Sequence, residues 1–139
     1  MKAKDYLRQL LKIERMIRNK TEEKKRLWEM ATNTTSSLNP VKVQSFGSQQ
    51  KMADATERCV DVEREINACI DKLIDSRQDI IATIEQLSAT EYDVLHMIYV
   101  QYRTFDQVAA SYEKSYSWVT TVHGRALNNV QRILDAKKV

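Results

Sequence analysis

Apolar residues recur at steps of three and four along most of the chain, the spacing that places one stripe on a helix face. Tyr6, Leu10, Ile13, Ile17, Leu27 and Ala31 form a first stripe, interrupted by Lys20 and Lys24. Met52, Ala55, Cys59, Val62, Ile66, Cys69 and Leu73, then Ile80, Ile84 and Leu87, form a longer seam with charged flanks. A seam of that kind requires a coiled-coil partner. Residues 1–87 are therefore expected to form a long antiparallel helical hairpin, with helices about 45–50 Å long. Thr32 to Gln50 is polar and rich in Ser and Thr, with Asn39-Pro40 and Gly47 as breakers, and reads as a linker. Leu7 and Leu11 flank the first stripe; Ile70, Ile74 and Ile81 flank the second. A pair of helices does not cover them all, so either two copies associate through the hairpin or the C-terminal part folds back within one chain.

Residues 88–139 carry a different pattern. Ser88-Ala89-Thr90-Glu91 and Thr104-Phe105-Asp106-Gln107 are capping-box sequences that open helices, and Ser115 suits the cap of another. Between these caps lie Val94, Leu95, Ile98 and Tyr99; then Phe105, Val108 and Ala109; then Val119, Val122, Ala126, Leu127 and Val130. Each set gives a short helix one buried stripe. A short helix, a turn over Tyr112-Glu113-Lys114-Ser115 and a longer helix is the plan of a helix-turn-helix, so the expected fold is all-α: a coiled-coil-like hairpin followed by a trihelical module.

The residues of that module carry a resemblance. Leu87 to Tyr99 is similar to the start of region four of bacterial sigma factors, with a leucine, a polar cap, a glutamate, then valine-leucine and an aromatic. Phe105-Asp106-Gln107-Val108-Ala109 resembles the second-helix segment. Ser115 to Val130 resembles the recognition helix, with a cap serine, aliphatics three apart, a basic residue and Ala-Leu. The resemblance covers about a third of the chain. The helical N-terminal part plus this C-terminus resembles small Gram-positive phage proteins that include late-gene regulators of the ArpU and RinA type. That likeness implies control of transcription on double-stranded DNA; the residue pattern by itself implies only a trihelical module.

Tyr116, Ser117, Trp118, Thr120, Thr121, Arg125 and Asn128 are the residues expected to meet DNA. Arg125 aligns with a basic position of the family pattern. In sigma factors the exposed front of this helix carries arginines, whereas here Tyr116, Ser117, Trp118, Thr120 and Thr121 take those places. Arginine to guanine is the commonest specific base contact, and these five cannot make it. Serine and threonine bond base edges or phosphates, and threonine touches the thymine methyl. Trp118 is expected to cover the first helix of the module or to stack on the DNA sugar-phosphate edge, the first being favoured; one of Tyr112 and Tyr116 is expected to be structural; and Gly124 is expected to permit close approach, to the preceding helices in the favoured reading or to DNA in the other. Arg132, Lys137 and Lys138 extend a basic tail.

Charge is unevenly placed. Residues 1–30 hold ten Lys and Arg against five Asp and Glu, residues 50–87 five against nine, and residues 88–139 six against five. The first helix and the second are thus expected to complement one another along their edges; the competing reading has Lys20, Lys24, Lys25 and Arg26 touching phosphates. At 139 residues with 42% hydrophobic side chains, two glycines and one proline, the chain suits long uninterrupted helices. No apolar run reaches the length of a membrane span and no signal peptide is visible, so a cytoplasmic location is expected, and the phage resemblance implies that the cell is a bacterial host. Cys59 and Cys69 lie ten residues apart on one expected helix, too far to bridge, and read as buried thiols.

Little points to an enzyme, a cofactor or a metal. His96 and His123 have no second His or Cys at ligand spacing; His96 reads as a half-buried surface residue and His123 as a DNA or solvent contact. The chain has too few glycines for a phosphate-binding loop. Three functions stay open on sequence alone: a promoter- or operator-binding regulator acting as a homodimer, an adaptor that binds RNA polymerase without binding DNA itself, and a packaging component resembling small terminase subunits.

Overall fold

The computed structural model describes the backbone of residues 1–36 and 46–138, and the side chains of 1–32 and 49–138. Every regular element among them is helical: α1 (Ala3–Leu7), α2 (Gln9–Ser36), α3 (Phe46–Ile84), α4 (Ala89–Leu95, continued by a π-helical turn over His96–Val100), α5 (Phe105–Tyr112) and α6 (Tyr116–Lys137). The linker expected from residue 32 to 50 is shorter than its composition suggests. The α2 helix continues to Ser36 and α3 begins at Phe46, so Gly47 sits in the first turn of a helix and does not break it. Asn39-Pro40 lies outside the described residues.

The chain divides into two compact units, and not at residue 87. One contains Met1–Ile13 together with Lys72–Val139; the other is Glu14–Asp71. The reason lies in the apolar side chains of the first thirteen residues. Ala3, Tyr6, Leu7 and Leu10 form one core with Ile80, Ile84, Leu95, Tyr99, Val100, Ala126 and Val130, and Leu7 and Leu10 are wholly buried there. Leu7, which flanks the first stripe, is thus covered within one chain by the C-terminal helices, as the fold-back alternative had it. Polar bonds fix the same docking. The Ala3 N–H donates to Gln131 Oε1 at 2.8 Å, and Gln131 Nε2 donates to the Met1 carbonyl at 3.2 Å. The Tyr6 hydroxyl bonds Asp79 and lies 2.9 Å from Thr83 Oγ1; burial, then the bond to Asp79, pushes its pKa up to about 12.

A second core in this unit lies between α4, α5 and α6, where Val94, Val108, Ala109, Val119 and Val122 are buried. Two of the cap signals act as their sequences suggest. Thr104 and Gln107 form a reciprocal capping box, with Thr104 N–H donating to Gln107 Oε1 at 2.9 Å and Gln107 N–H to Thr104 Oγ1 at 3.2 Å. Ser115 Oγ accepts from Trp118 N–H at 3.1 Å and opens α6. Between them, Glu113 takes the left-handed conformation (φ 53°). Its N–H bonds the Ala110 carbonyl while Lys114 N–H bonds that of Ala109, the paired bonds of a Schellman turn without its usual glycine. The π turn at the end of α4 has a local consequence: Tyr99 and Val100 are both buried, although sequence spacing marks only the first.

The unit of residues 14–71 is thinner. Its buried apolar residues among those described are Ala31, Ala55, Cys59 and Val62. Residues of α2 and α3 meet in opposite order: Lys20 pairs with Glu65 at 3.1 Å, Lys24 with Glu63 at 3.7 Å, and Cys59 Sγ approaches the Lys24 carbonyl at 3.7 Å. The two lysines that interrupt the α2 stripe therefore lay their stems along the seam and deliver their charges to the acidic edge of α3. Edge complementarity accounts for these lysines. Cys69 is half-buried and Cys59 buried, both as free thiols. No described helix is long and apolar enough to cross a membrane.

Candidate nucleic-acid interface

Helix α6 turns one face fully to the core, through Val119, Val122, Ala126 and Val130. At about 100° per residue, Ser117, Thr121, Gly124 and Asn128 fall together on the opposite face, with Thr120 at its edge. All five are exposed. Thr120 Oγ1 donates to the Tyr116 carbonyl and Thr121 Oγ1 to that of Ser117, each at 3.0 Å. Both threonines thus keep their hydroxyl protons within the helix and present acceptor lone pairs and a methyl group outward. Such groups suit a base amino group and the thymine methyl. At Gly124 the favoured reading, close approach of the preceding helices, does not hold. A side-chain carbon built there meets nothing within 4 Å, so no neighbouring helix needs the space. A mid-helix glycine costs roughly 1 kcal/mol relative to alanine, and packing within the protein does not explain it.

Arg125 flanks this face and is oriented from within. Its Nε donates to Glu91 Oε1 at 3.1 Å, an oxygen that also accepts from Asn129 Nδ2 at 2.8 Å. The Glu91 side chain is 6% exposed and that of Arg125 59%, so the anion is interior while the cation reaches solvent. The Ser88–Glu91 capping box is altered by this arrangement. Glu91 N–H bonds Ser88 Oγ at 3.4 Å, but the carboxylate serves α6 and accepts from the Ser88 hydroxyl at 3.1 Å. Sequence reading marked Glu91 as a cap alone; its tie to Arg125 spans 34 residues and leaves no local signal.

The aromatic residues separate into support and surface. Trp118 is half-buried, packed on Tyr112 at a ring separation of 5.2 Å with Lys114 Nζ 5.9 Å from its ring centre. Tyr112 donates to Asp93 Oδ2 at 2.7 Å, and burial followed by that bond lifts its pKa to about 12; it is the structural tyrosine of the turn. Tyr116 is 55% exposed beside Phe105. His123, expected to face DNA or solvent, is buried instead. Its Nε2 lies 2.7 Å from the Tyr99 hydroxyl and its ring packs against Phe105 and Tyr99. Burial, then the charges of Lys4 and Arg8, hold its pKa below the usual histidine value. Its position on the arc of Val119 and Ala126 was the available sequence signal. His96 is half-buried, with Nδ1 2.8 Å from Gln101 Nε2.

No family model, curated protein or solved structure matches the chain. The functional reading therefore rests on the groups just described. Lys137, expected in a basic tail, turns toward Asp79 at 4.0 Å and Thr83 at 3.5 Å while staying exposed, as Arg132 and Lys138 also are. Among the described residues, no three His, Cys, Asp or Glu side chains are grouped to hold a metal ion.

Proposed function

We propose that the protein is a phage-type transcription regulator in which α5, the Glu113-Lys114 turn and α6 act as a helix-turn-helix on promoter or operator DNA. The observation that carries this reading is the exposed face of α6, where Gly124 lies among Ser117, Thr121 and Asn128 with no neighbour in the chain. The missing side chain at Gly124 lets a phosphate backbone or base edge come close at that point, and Arg125 stands beside it with its guanidinium held by Glu91. Ser117, Thr120, Thr121 and Asn128 would meet base edges, Arg125 a phosphate or base, and Tyr116 and Trp118 the rim. The likeness to sigma region four and to ArpU- and RinA-type regulators supports the same assignment. A labelled fragment of the chain's own genomic neighbourhood is expected to bind selectively and more weakly as salt rises. Thr121→Ala and Arg125→Ala should each lower affinity about tenfold. Absence of selective binding at low salt rejects DNA recognition by the protein alone. It favours a second reading, an RNA-polymerase-binding adaptor, which the scarcity of long cations on the α6 front also supports.

Residues 14–71 act in this proposal as an antiparallel helical hairpin, and the working form is a homodimer. The pairing surface is on α3, where Ile74 is 49% exposed beside half-buried Ile81. Arg77, Ile81 and Glu85 form one row at four-residue spacing, and Ile74, Gln78 and Ala82 the next. Rows of this kind interdigitate between helices. An antiparallel pairing about Ile81 sets Arg77 of each copy against Glu85 of the other, a self-complementary arrangement suited to a two-fold dimer. Sedimentation at micromolar concentration should give a dimer mass that Ile74→Glu reduces to monomer. A monomeric wild type overturns the pairing, and a ring-sized assembly points to packaging.

A further inference from the structure

We propose that Lys4 and Arg8 form a second row of phosphate contacts on the far side of α6 from Arg125 and Arg132, so that the N-terminal segment is part of the nucleic-acid interface. The inference rests on the reading of α6 as a DNA-binding helix and adds residues remote from it in sequence.

Charge placement is its first support. Residues 14–71 contain ten basic and ten acidic side chains, and residues 72–139 contain eight of each. The whole excess of three positive charges therefore lies in residues 1–13, where Lys2, Lys4, Arg8 and Lys12 face a single acid, Asp5. The unit that carries α6 would be neutral without this segment. DNA-binding domains concentrate positive charge on the contacting face, and here the charge is supplied by docking and not by α6 itself.

Geometry is the second support. Ala3, Tyr6 and Leu7 turn inward to the core that holds Ala126 and Val130, and Gln131 clasps the backbone at Met1 and Ala3. Lys4 and Arg8, four residues apart, share a side of the first turns and are exposed. The start of α1 is thus fixed near Gln131, and Lys4 and Arg8 lie close enough to His123, two turns earlier in α6, to disfavour its protonation. On a helical projection Leu127 and Gln131 border the exposed face on one side, with His123 deeper on that same side, and Arg125 and Arg132 border it on the other. The N-terminal cations thus dock on the Gln131 side of α6, and Arg125 and Arg132 stand on the other. Among the described residues, neither Lys4 nor Arg8 is in an ion pair.

The test compares full-length wild type, the Lys4→Gln/Arg8→Gln pair and a control pair, Lys51→Gln/Arg58→Gln, which removes two exposed charges from the other unit. Binding to the same genomic fragment and to unrelated duplex is titrated between about 50 and 300 mM salt. Each lost phosphate contact lowers the slope of log affinity against log salt by about 0.9. The Lys4/Arg8 pair is expected to lose close to two units of slope and at least about tenfold in affinity on both DNAs, with the preference between them kept. The control pair should keep the wild-type slope. If wild type binds and the Lys4/Arg8 pair keeps its slope, or the control pair loses as much, the proposal is overturned while the α6 reading stands. If wild type binds no duplex, the α6 reading fails and this inference with it. Circular dichroism of all three proteins confirms equal helicity.

Discussion

Leu7→Ala is expected to lower stability by about 2–5 kcal/mol, the range for emptying a fully buried leucine site. Leu7 has no exposed surface and stands among Ile80, Ile84, Leu95 and Val130, more than seventy residues away in the chain. Truncation leaves a cavity bounded by α3, α4 and α6, and helices tied to one another by other contacts collapse into it only in part. Met16→Ala, at a side chain 42% exposed, should change stability by less than about 1 kcal/mol. The measurement is urea denaturation followed by fluorescence in a Trp28→Phe background. Trp28 lies in the unit of residues 14–71 and Trp118 in the other, so the remaining signal reports the unit that contains Leu7. A Leu7→Ala cost below about 1 kcal/mol would mean that the N-terminal segment is not part of this core.

The same residue marks the limit of what the chain's pattern discloses. Three- and four-residue spacing identifies helices and most inward positions because those depend on local geometry: Tyr6, Leu10, Val94, Val108, Val119 and Val130 are all buried. Periodicity does not say which stripe covers which. A continuous stripe from Tyr6 to Ala31 reads as one helix face against one partner, yet its first residues pack with α4, α6 and the C-terminal end of α3, and its later ones with the middle of α3. The basic N-terminus was visible as an imbalance, but its location beside α6 depends on the Gln131 clasp, between residues some 128 apart. His123, and the favoured of the two readings of Gly124, were missed for a related reason. A histidine on a buried arc is indistinguishable in type from an exposed one until Tyr99 supplies its partner, and a glycine reads as close packing until the space around it is seen to be open. The exposure of Ser117, Thr121 and Asn128 was legible through their phase on α6; the buried anion that orients Arg125 was not.

That anion gives the second large effect. Glu91→Ala removes a buried acceptor from Arg125, Asn129 and Ser88 at once. Hydrogen bonds to a charged group contribute about 1.5–3 kcal/mol each when buried, but the exposed guanidinium is screened by solvent, so the expected loss is about 2–3 kcal/mol. Glu91→Gln keeps one carbonyl acceptor and should lose about half as much. Arg125→Ala leaves the carboxylate without its cation and costs stability as well, so lower DNA affinity in that variant alone does not prove contact. A double-mutant cycle of Glu91→Gln and Arg125→Ala separates the two roles. Denaturation of the four proteins yields the coupling between the side chains, and titration with DNA under conditions where all four are folded yields the effect on binding. A guanidinium that touches DNA should make Arg125→Ala weaken binding in both backgrounds, and Glu91→Gln should weaken it only where Arg125 is present to be misplaced. If affinity follows neither substitution once folding is equalised, Arg125 joins α4 to α6 and nothing more, and recognition belongs to the small polar face alone.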